Sequence, residues 1–299
     1  MAKILIAGGT GLIGQALSKL LKEEGFEVAV LSRSPQENQF YWNPEQNEIE
    51  KAAFENTEII INLAGESVSK TWTKEYKERI LNSRVDTVAL LLEKAKQYNC
   101  KPKAFISSSA AGIYGAVTSD KIFKESDAAG DGFLAEVCKV WEEKIFSFEK
   151  LGTRVVALRI TTVLSKNGGA LSGMLPRTEQ GVSTQAGNGK HYVSWIHIDD
   201  MCRMFLFAVQ NSVSGAFNAV SPEYVTNETF AKTLSEVIGV PVSTPAPPES
   251  VLKEALGEMS TLVLNGSRVS SEKIRQAGFV FQFPNLKEAL ENLVKSEII

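Results

Sequence analysis

Short apolar runs alternate with helical stretches through the first 165 residues. Lys3-Ile4-Leu5-Ile6-Ala7 is a short, nearly unbroken apolar run and predicts a buried strand. Leu12, Ile13, Ala16, Leu17, Leu20 and Leu21 then recur at helical spacing, with Gly25 offering a stop. Further strands are predicted at Glu27 to Leu31, Glu58 to Gly65, Lys103 to Ser109 and Arg154 to Ile160. Between them, Thr73 to Gln97 reads as a helix capped by Thr73, with Ile80, Leu81, Val85, Val88, Leu91 and Leu92 as its buried stripe. Phe133 to Lys150 reads as another, with Leu134, Val137, Cys138, Trp141, Ile145 and Phe148 turned inward. Residues 35–57 are polar and irregular and predict a loop with a short hairpin; residues 116–132 predict a polar loop. Strands regularly separated by helices predict an α/β fold built on a doubly wound parallel sheet.

The texture changes after Ser165. Residues 166–189 are rich in glycine and predict a loop region suited to a substrate lid. Val193 to Asp200 returns to strand-then-helix, continued by Met201, Phe205, Phe207 and Ala208; Ala216 to Val220 is a further strand. A helix begins near Thr226-Asn227-Glu228, with Asn227 the expected cap, and Asp199 is expected to cap the helix after His197. Pro241, Pro245, Pro247 and Pro248 mark a linker before three short helices, at Glu249 to Leu256, Ser271 to Ala277 and Leu286 to Val294. The expected division is a dinucleotide-binding domain over 1–165, with 190–220 returning to its sheet, and a small mixed α/β substrate lobe over 166–189 and 221–299.

Composition narrows the class. The chain has 299 residues, 43% hydrophobic and 22% charged, and its net charge of −3 gives no reason to expect nucleic acid or an anionic membrane as partner. Cys100, Cys138 and Cys202 are far apart and odd in number, which suits a reducing compartment and argues against a disulfide framework. Two histidines and no Cys/His cluster give no expected metal site. No signal peptide or spanning segment is read, so a cytoplasmic location is expected, as a monomer or homodimer.

The candidate chemistry sits at the ends of the predicted strands. Gly8-Gly9-Thr10-Gly11-Leu12-Ile13-Gly14 lies on a strand-to-helix turn, where glycine lets a diphosphate approach the free N–H groups of a helix start. Its spacing, Gly-x-x-Gly-x-x-Gly, differs from the G-x-G-x-x-G fingerprint. The second strand ends at Ser32-Arg33, a hydroxyl and a permanent cation where an acidic residue would bond both ribose hydroxyls; this favours NADP over NAD. The third strand ends in Leu63-Ala64-Gly65, small enough to lie against a cofactor. Arg84 falls near the buried side of its helix and needs a partner, either a salt-bridging carboxylate or the cofactor. Ser107, Ser108 and Ser109 end the fourth strand, where hydroxyls face bound ligands or satisfy the turn.

These segments together resemble the extended short-chain dehydrogenase/reductase superfamily, the Rossmann-like fold of sugar-nucleotide epimerases and dehydratases. The matching segments are the glycine turn, Asn62-Leu63-Ala64-Gly65, the three serines and Trp195-Ile196-His197-Ile198-Asp199-Asp200. The chain is similar in particular to the "epimerase family protein" subgroup. Its signatures stand here at Asn62 to Glu66, Trp72 to Arg84, Leu134 to Cys138 and Leu264-Asn265-Gly266-Ser267-Arg268-Val269. The resemblance implies NADP(H) as cofactor. Gly8, Thr10, Gly11, Leu12, Ile13 and Gly14 would hold the diphosphate, Ser32 and Arg33 the 2′-phosphate. Leu63, Ala64 and Gly65 would form the adenine and ribose wall, with Arg84, Ser107 and Lys139 as further contacts and Thr162 near the nicotinamide.

One departure stands out. The superfamily works with a serine and a Tyr-x-x-x-Lys pair, the tyrosine acting as acid or base and the lysine lowering its pKa. Lys139 occupies the lysine position, but four residues before it stands Ala135, and none of the six tyrosines has a lysine four residues on. Ser108 or Ser109 would orient a substrate, and Tyr114 is a candidate replacement for the missing phenol. Cys138 reads as a core cysteine, Glu136 as a solvated or helix-paired carboxylate and His197 as a structural hydrogen-bonding histidine. Two functions follow: an NADP-dependent oxidoreductase or epimerase acting on a small substrate, nucleotide sugars among the candidates, or a non-catalytic NADP(H)-binding sensor or regulator.

Overall fold

A computed structural model describes residues 1–295. It holds two compact units. The first takes in Met1–Ile113, Phe133–Arg159 and Cys202–Phe217; the second takes in Tyr114–Gly132, Ile160–Met201 and the chain from Asn218 onward.

The strands are β1 (Lys3–Ala7), β2 (Glu27–Ser32), β3 (Gln39–Asn43), β4 (Glu48–Ile49), β5 (Thr57–Asn62), β6 (Ala104–Ala110) and β7 (Ile122–Phe123), then β8 (Arg154–Ile160), β9 (Thr162–Leu164), β10 (Tyr192–Val193), β11 (Trp195–His197), β12 (Gly215–Ala219), β13 (Val225–Thr226) and β14 (Arg268–Val269). The helices are α1 (Leu12–Glu23), α2 (Lys74–Gln97), α3 (Phe133–Phe146), α4 (Gly169–Glu179) and α5 (Ile198–Gln210), then α6 (Asn227–Ile238), α7 (Glu249–Leu256), α8 (Thr261–Leu264), α9 (Glu272–Gln276) and α10 (Leu286–Lys295).

In the first unit the sheet order is β12-β8-β6-β5-β1-β2-β3-β4. Every residue of β1 is buried, because it pairs in parallel with β2 on one side and β5 on the other. The chain winds outward through β2 and β3, then returns to β5 and winds the other way. The order therefore reverses beside β1, and such a switch point is where ligands bind in open α/β sheets. The register sets Ala7 opposite Leu31 and Asn62, and Asn62 opposite Ser107, so the glycine turn, Ser32, Leu63 and the serines share one sheet edge. Leu5, Leu31, Ile60, Phe105, Leu91, Ile145 and Phe148 pack into the core of this unit.

The expected doubly wound α/β sheet is present. Residues 35–57 hold more than the expected loop and hairpin: β3 and β4 form the hairpin, and β3 also extends the sheet in parallel with β2. Trp42 is buried among the core residues, and the apolar positions here are too sparse to show a period-two pattern. Thr73 caps α2 as expected, its hydroxyl accepting from Tyr76 N at 3.1 Å.

In the second unit, residues 166–189 are not all loop. Helix α4 runs through them with Pro176 inside it, its glycines and lone buried Leu171 and Thr178 leaving no helical stripe to read. The cap of α6 is Thr226, whose hydroxyl accepts from Thr229 N; Asn227 Oδ1 instead accepts from Ala186 N at 2.7 Å. Asp199 lies inside the first turn of α5 rather than capping it, and its N–H donates to His197 Nδ1 at 3.1 Å. β9 pairs in parallel with β11, β10 with β13 antiparallel, and β14 with β7 in parallel. Among the described residues no helix is long and apolar enough to cross a membrane.

Candidate functional site

The glycine turn leaves β1 and enters α1. Gly8 has φ +80°, and a Cβ there would lie 2.7 Å from Ala64 N and from the Leu63 carbonyl carbon. A Cβ on Gly14 would lie 2.3 Å from Gly8 O. Both positions exclude a side chain, one by backbone conformation and one by contact. Gly11 is the N-cap of α1 and supplies no side-chain acceptor, so the helix starts without a side-chain cap. Among the described residues no group of three or more His, Cys, Asp and Glu could hold a metal ion.

β2 ends in Ser32, which is buried and accepts from Ser34 N at 3.2 Å. Arg33, between them, is exposed. A cleft of about 600 Å³ runs along this edge between α1 and the end of β2.

The ends of β5 and β6 are tied together by their own polar groups. Asn62 is fully buried; its Nδ2 donates to Ser107 Oγ at 3.1 Å and its Oδ1 accepts from Ala64 N at 3.2 Å. Ser108 Oγ donates to Asn62 O at 3.1 Å, and Ser107 Oγ donates to Ser108 O at 2.9 Å. Leu63 N donates to Ala7 O at 2.8 Å. Leu63, Ala64 and Gly65 are thus held beside the glycine turn. The sequence pointed to the serines but missed Asn62 as their organiser, although an asparagine ending an otherwise apolar strand must find partners.

Among the described residues Arg84 has no carboxylate within ion-pair distance. Its Nη1 donates to Ile80 O at 2.9 Å and its Nη2 to Glu66 O at 3.0 Å, with the guanidinium 5.2 Å from the Trp141 ring centre. A Cβ on Gly65 would lie 3.3 Å from Arg84 Cζ. Burial draws the Arg84 pKa down, while Cys138 and Glu66 oppose that shift. Arg84 fixes the backbone after Gly65; of the two partners the sequence left open, the salt bridge is replaced by two carbonyls and an aromatic face, and the cofactor contact is untested.

Ser109 belongs to a buried charged group that the sequence reading missed. Its Oγ donates to Glu142 Oε1 at 2.6 Å, and Arg159 grips both oxygens of Glu142 at 2.9 Å, through Nε and Nη2. Ser109, Glu142 and Arg159 are 2%, 7% and 7% exposed. The signal was there: Arg159 interrupts the apolar run of β8, and a buried guanidinium must find acceptors, most strongly a carboxylate. On α3, Ala135 is buried where the tyrosine would stand, and Cys138 is buried, its thiol pushed up to about 12 chiefly by burial. Burial thus works against the thiolate that a nucleophile would need. Lys139 Nζ lies 2.5 Å from Glu136 Oε1, a partly exposed pair on the helix surface.

The remaining candidates lie in the second unit. Tyr114 is 2% exposed, and its phenol donates to Asn218 Oδ1 at 2.6 Å; Asn218 Nδ2 in turn donates to Ser270 O at 3.0 Å. Thr162 N donates to Ser194 O at 3.1 Å at the start of β9. His197 is buried against the Phe283 ring at 3.9 Å and pairs with Asn292. Burial pulls its pKa down, against the pull of Asp199 and Asp200. Its Nδ1 accepts from Asp199 N, so the neutral ring carries its proton on Nε2, as a structural histidine does.

A parallel sheet with a switch point, a turn closed to side chains at Gly8 and Gly14 and an uncapped helix start define a dinucleotide-binding protein. Residues 4–220 match the model of the NAD dependent epimerase/dehydratase family, and residues 247–293 match a domain of unknown function, DUF1731. The chain belongs to the NAD-dependent epimerase/dehydratase family, within the extended short-chain dehydrogenase/reductase superfamily its motifs resemble. It is 36% identical to an epimerase family protein of Staphylococcus aureus, over 99% of this chain and 100% of that one. It is also similar to the crystal structure of human epimerase family protein SDR39U1 (isoform 2) with NADPH. There the TM-score is 0.89 and the identity 28%, covering 99% of this chain and 100% of that one. A nucleoside-diphosphate sugar epimerase from Corynebacterium glutamicum gives a TM-score of 0.81 at 27% identity, covering 98% of this chain and 58% of that one.

Proposed function

We propose that this chain binds NADP(H) in preference to NAD(H) and acts as an oxidoreductase or epimerase on a small substrate, with a nucleotide sugar as the leading class. The observation that carries the cofactor is the turn at residues 8–14, where two glycines leave room for nothing but backbone ahead of an uncapped helix. Its N–H groups would hold the diphosphate, with Leu63, Ala64 and Gly65 as the adjacent wall. Ser32 and Arg33 put a hydroxyl and a cation, and no acid, at the end of β2, which suits a 2′-phosphate. The human relative's structure with NADPH supports that choice; the sugar-nucleotide class rests on the Corynebacterium glutamicum relative. A nicotinamide dinucleotide supplies a hydride donor or acceptor at C4 of its ring when bound.

The chain's own residues then fix what a substrate meets. Ser109 donates its hydroxyl hydrogen bond to Glu142, so toward a ligand it can only accept, which suits a substrate hydroxyl rather than a carbonyl. Ser108 lies beside it at the same strand end, and Lys139, once released from Glu136, would reach the ribose. A second reading, a cofactor-binding sensor without turnover, is favoured by one observation: Ala135 offers no proton where the superfamily's acid stands, and the Tyr114 phenol is engaged with Asn218.

Fluorescence titration with NADPH and NADH tests the cofactor. The wild type is expected to bind NADPH at least about tenfold more tightly, a difference of about 1.4 kcal/mol, and Arg33→Asp to erase most of that preference. Equal affinities in the wild type would overturn it.

A further inference from the structure

The segment Leu264-Asn265-Gly266-Ser267-Arg268-Val269 lies wholly in the second unit and has no part in the cofactor site described above. Its backbone is pinned. Gly266 O accepts from Tyr192 N at 3.2 Å, Ser267 O accepts from Ser194 Oγ at 2.8 Å, and β14 pairs with β7. On this frame the Arg268 guanidinium stands 5.1 Å from the Tyr192 ring centre and 5.9 Å from that of Tyr224. Both are cation–π distances, and the two rings hold the guanidinium in place.

Three observations give this cation a ligand chemistry. First, Arg268 Nε is buried and has no hydrogen-bond partner, which is costly unless a ligand or water supplies one. Second, its ion-pair partner is a loose one. The Asp120 carboxylate lies 3.6 Å from Nη2, beyond hydrogen-bond reach, while the same nitrogen donates to the Asp120 carbonyl. The Asp120 side chain is 97% exposed, so it can return to water at little cost. Asp120 thus stands over Arg268 as a displaceable stand-in for a ligand carboxylate. Third, the lysines flanking β7 are already neutralised, Lys121 by Asp127 at 3.0 Å and Lys124 by Glu272 at 3.1 Å. One loosely paired guanidinium matches one negative charge; a phosphate dianion would stay half compensated. The Tyr192 and Tyr224 phenols make no hydrogen bond among the described residues and can donate to the hydroxyls of a polyol.

We infer that Arg268, with Tyr192 and Tyr224, binds the carboxylate of a sugar acid, and that Asp120 occupies this site until the ligand displaces it. This rests on the small-substrate reading above and narrows its class to a sugar carrying a carboxylate. Asp120 competes with the ligand, so its removal strengthens binding. An Arg268 that only stapled residues 117–120 to β14 would give no such gain.

The test is titration of the full chain with glucuronate, glucose 1-phosphate and glucose, with and without NADP+, followed by ligand-observed NMR. The wild type, Asp120→Asn and Arg268→Gln are compared. The wild type is expected to bind glucuronate at least about tenfold more tightly than glucose, and more tightly than glucose 1-phosphate. Asp120→Asn is expected to gain about threefold for glucuronate, the scale of an exposed ion pair. Arg268→Gln is expected to lose at least about tenfold for glucuronate and to leave glucose unchanged. A preference for glucose 1-phosphate, no gain in Asp120→Asn, or unchanged glucuronate binding in Arg268→Gln overturns the assignment. So does the absence of glucuronate binding in both the wild type and Asp120→Asn. NADPH titration of the same proteins keeps the two proposals apart: Arg268→Gln is expected to retain wild-type NADPH affinity. If the wild type binds glucuronate through Arg268 but binds no dinucleotide, the cofactor reading fails while this site stands. Circular dichroism confirms folding; should Arg268→Gln not fold, Arg268→Lys, which keeps the charge but not the planar fork, is held to the same comparison.

Discussion

Glu142 concentrates more of the site's physics than any other residue. It closes a buried ion pair with Arg159 and accepts a hydrogen bond from Ser109, at 7% exposure. Removing one partner of a buried pair leaves the other charge uncompensated. Glu142→Gln is therefore expected to cost about 3–5 kcal/mol in urea unfolding. Replacing both, as Glu142→Leu with Arg159→Met, is expected to recover most of that, because the paired charges also carry a desolvation cost. A Glu142→Gln variant as stable as the wild type would show that the pair is not closed in solution. Gly14 makes a contrasting case. A methyl there meets Gly8 O, so Gly14→Ala is expected to destabilise by about 1–3 kcal/mol and to weaken dinucleotide binding through the same contact. Glu142 did not stand out in the sequence, and Asn62 stood out only as part of a motif and not as the partner of the serines, because a polar residue's importance at a strand end or on a helix depends on which distant residue faces it. Arg159 and Asn62 could have been flagged by their positions within apolar runs, but their partners lie 17 and 45 residues away.

At the scale of elements, legibility followed the strength of the periodic signal. β1, α1 and α2 were readable because their apolar positions repeat without interruption and because Thr73 caps α2 through Tyr76 N. Thr73→Ala is expected to cost about 1 kcal/mol in thermal or urea unfolding, with no change in cofactor affinity, since the cap serves the helix and not the turn. No loss of stability would place the start of α2 elsewhere in solution. Helix α4 was not readable: its glycines and Pro176 look like loop chemistry, and tertiary packing of Leu171 and Thr178 outweighs propensity there. At α6 two neighbouring residues could both cap. Asn227 was the natural choice, but its side chain is taken by Ala186 N, which leaves the cap to Thr226.

For the molecule as a whole, the doubly wound sheet was legible from strand and helix order alone, and the glycine turn, Ser32 and the strand-end serines share the sheet edge where open α/β sheets take ligands. What chemistry follows was less legible, because it turns on one missing side chain. Ala135 breaks the tyrosine–lysine pair, while the rest of the edge keeps the form of a dinucleotide site. The proposed cofactor binding and the proposed turnover are therefore separate questions, and the residue beside the reactive end of the cofactor would decide the second. The most direct measurement is a crystal structure of the full chain with NADPH and its surroundings at C4 of the nicotinamide. The expected result is a diphosphate on the backbone of residues 8–14 with Ser108 or Ser109 beside C4. A diphosphate away from that turn, or a nicotinamide ringed only by apolar groups, would contradict an enzyme working from this site.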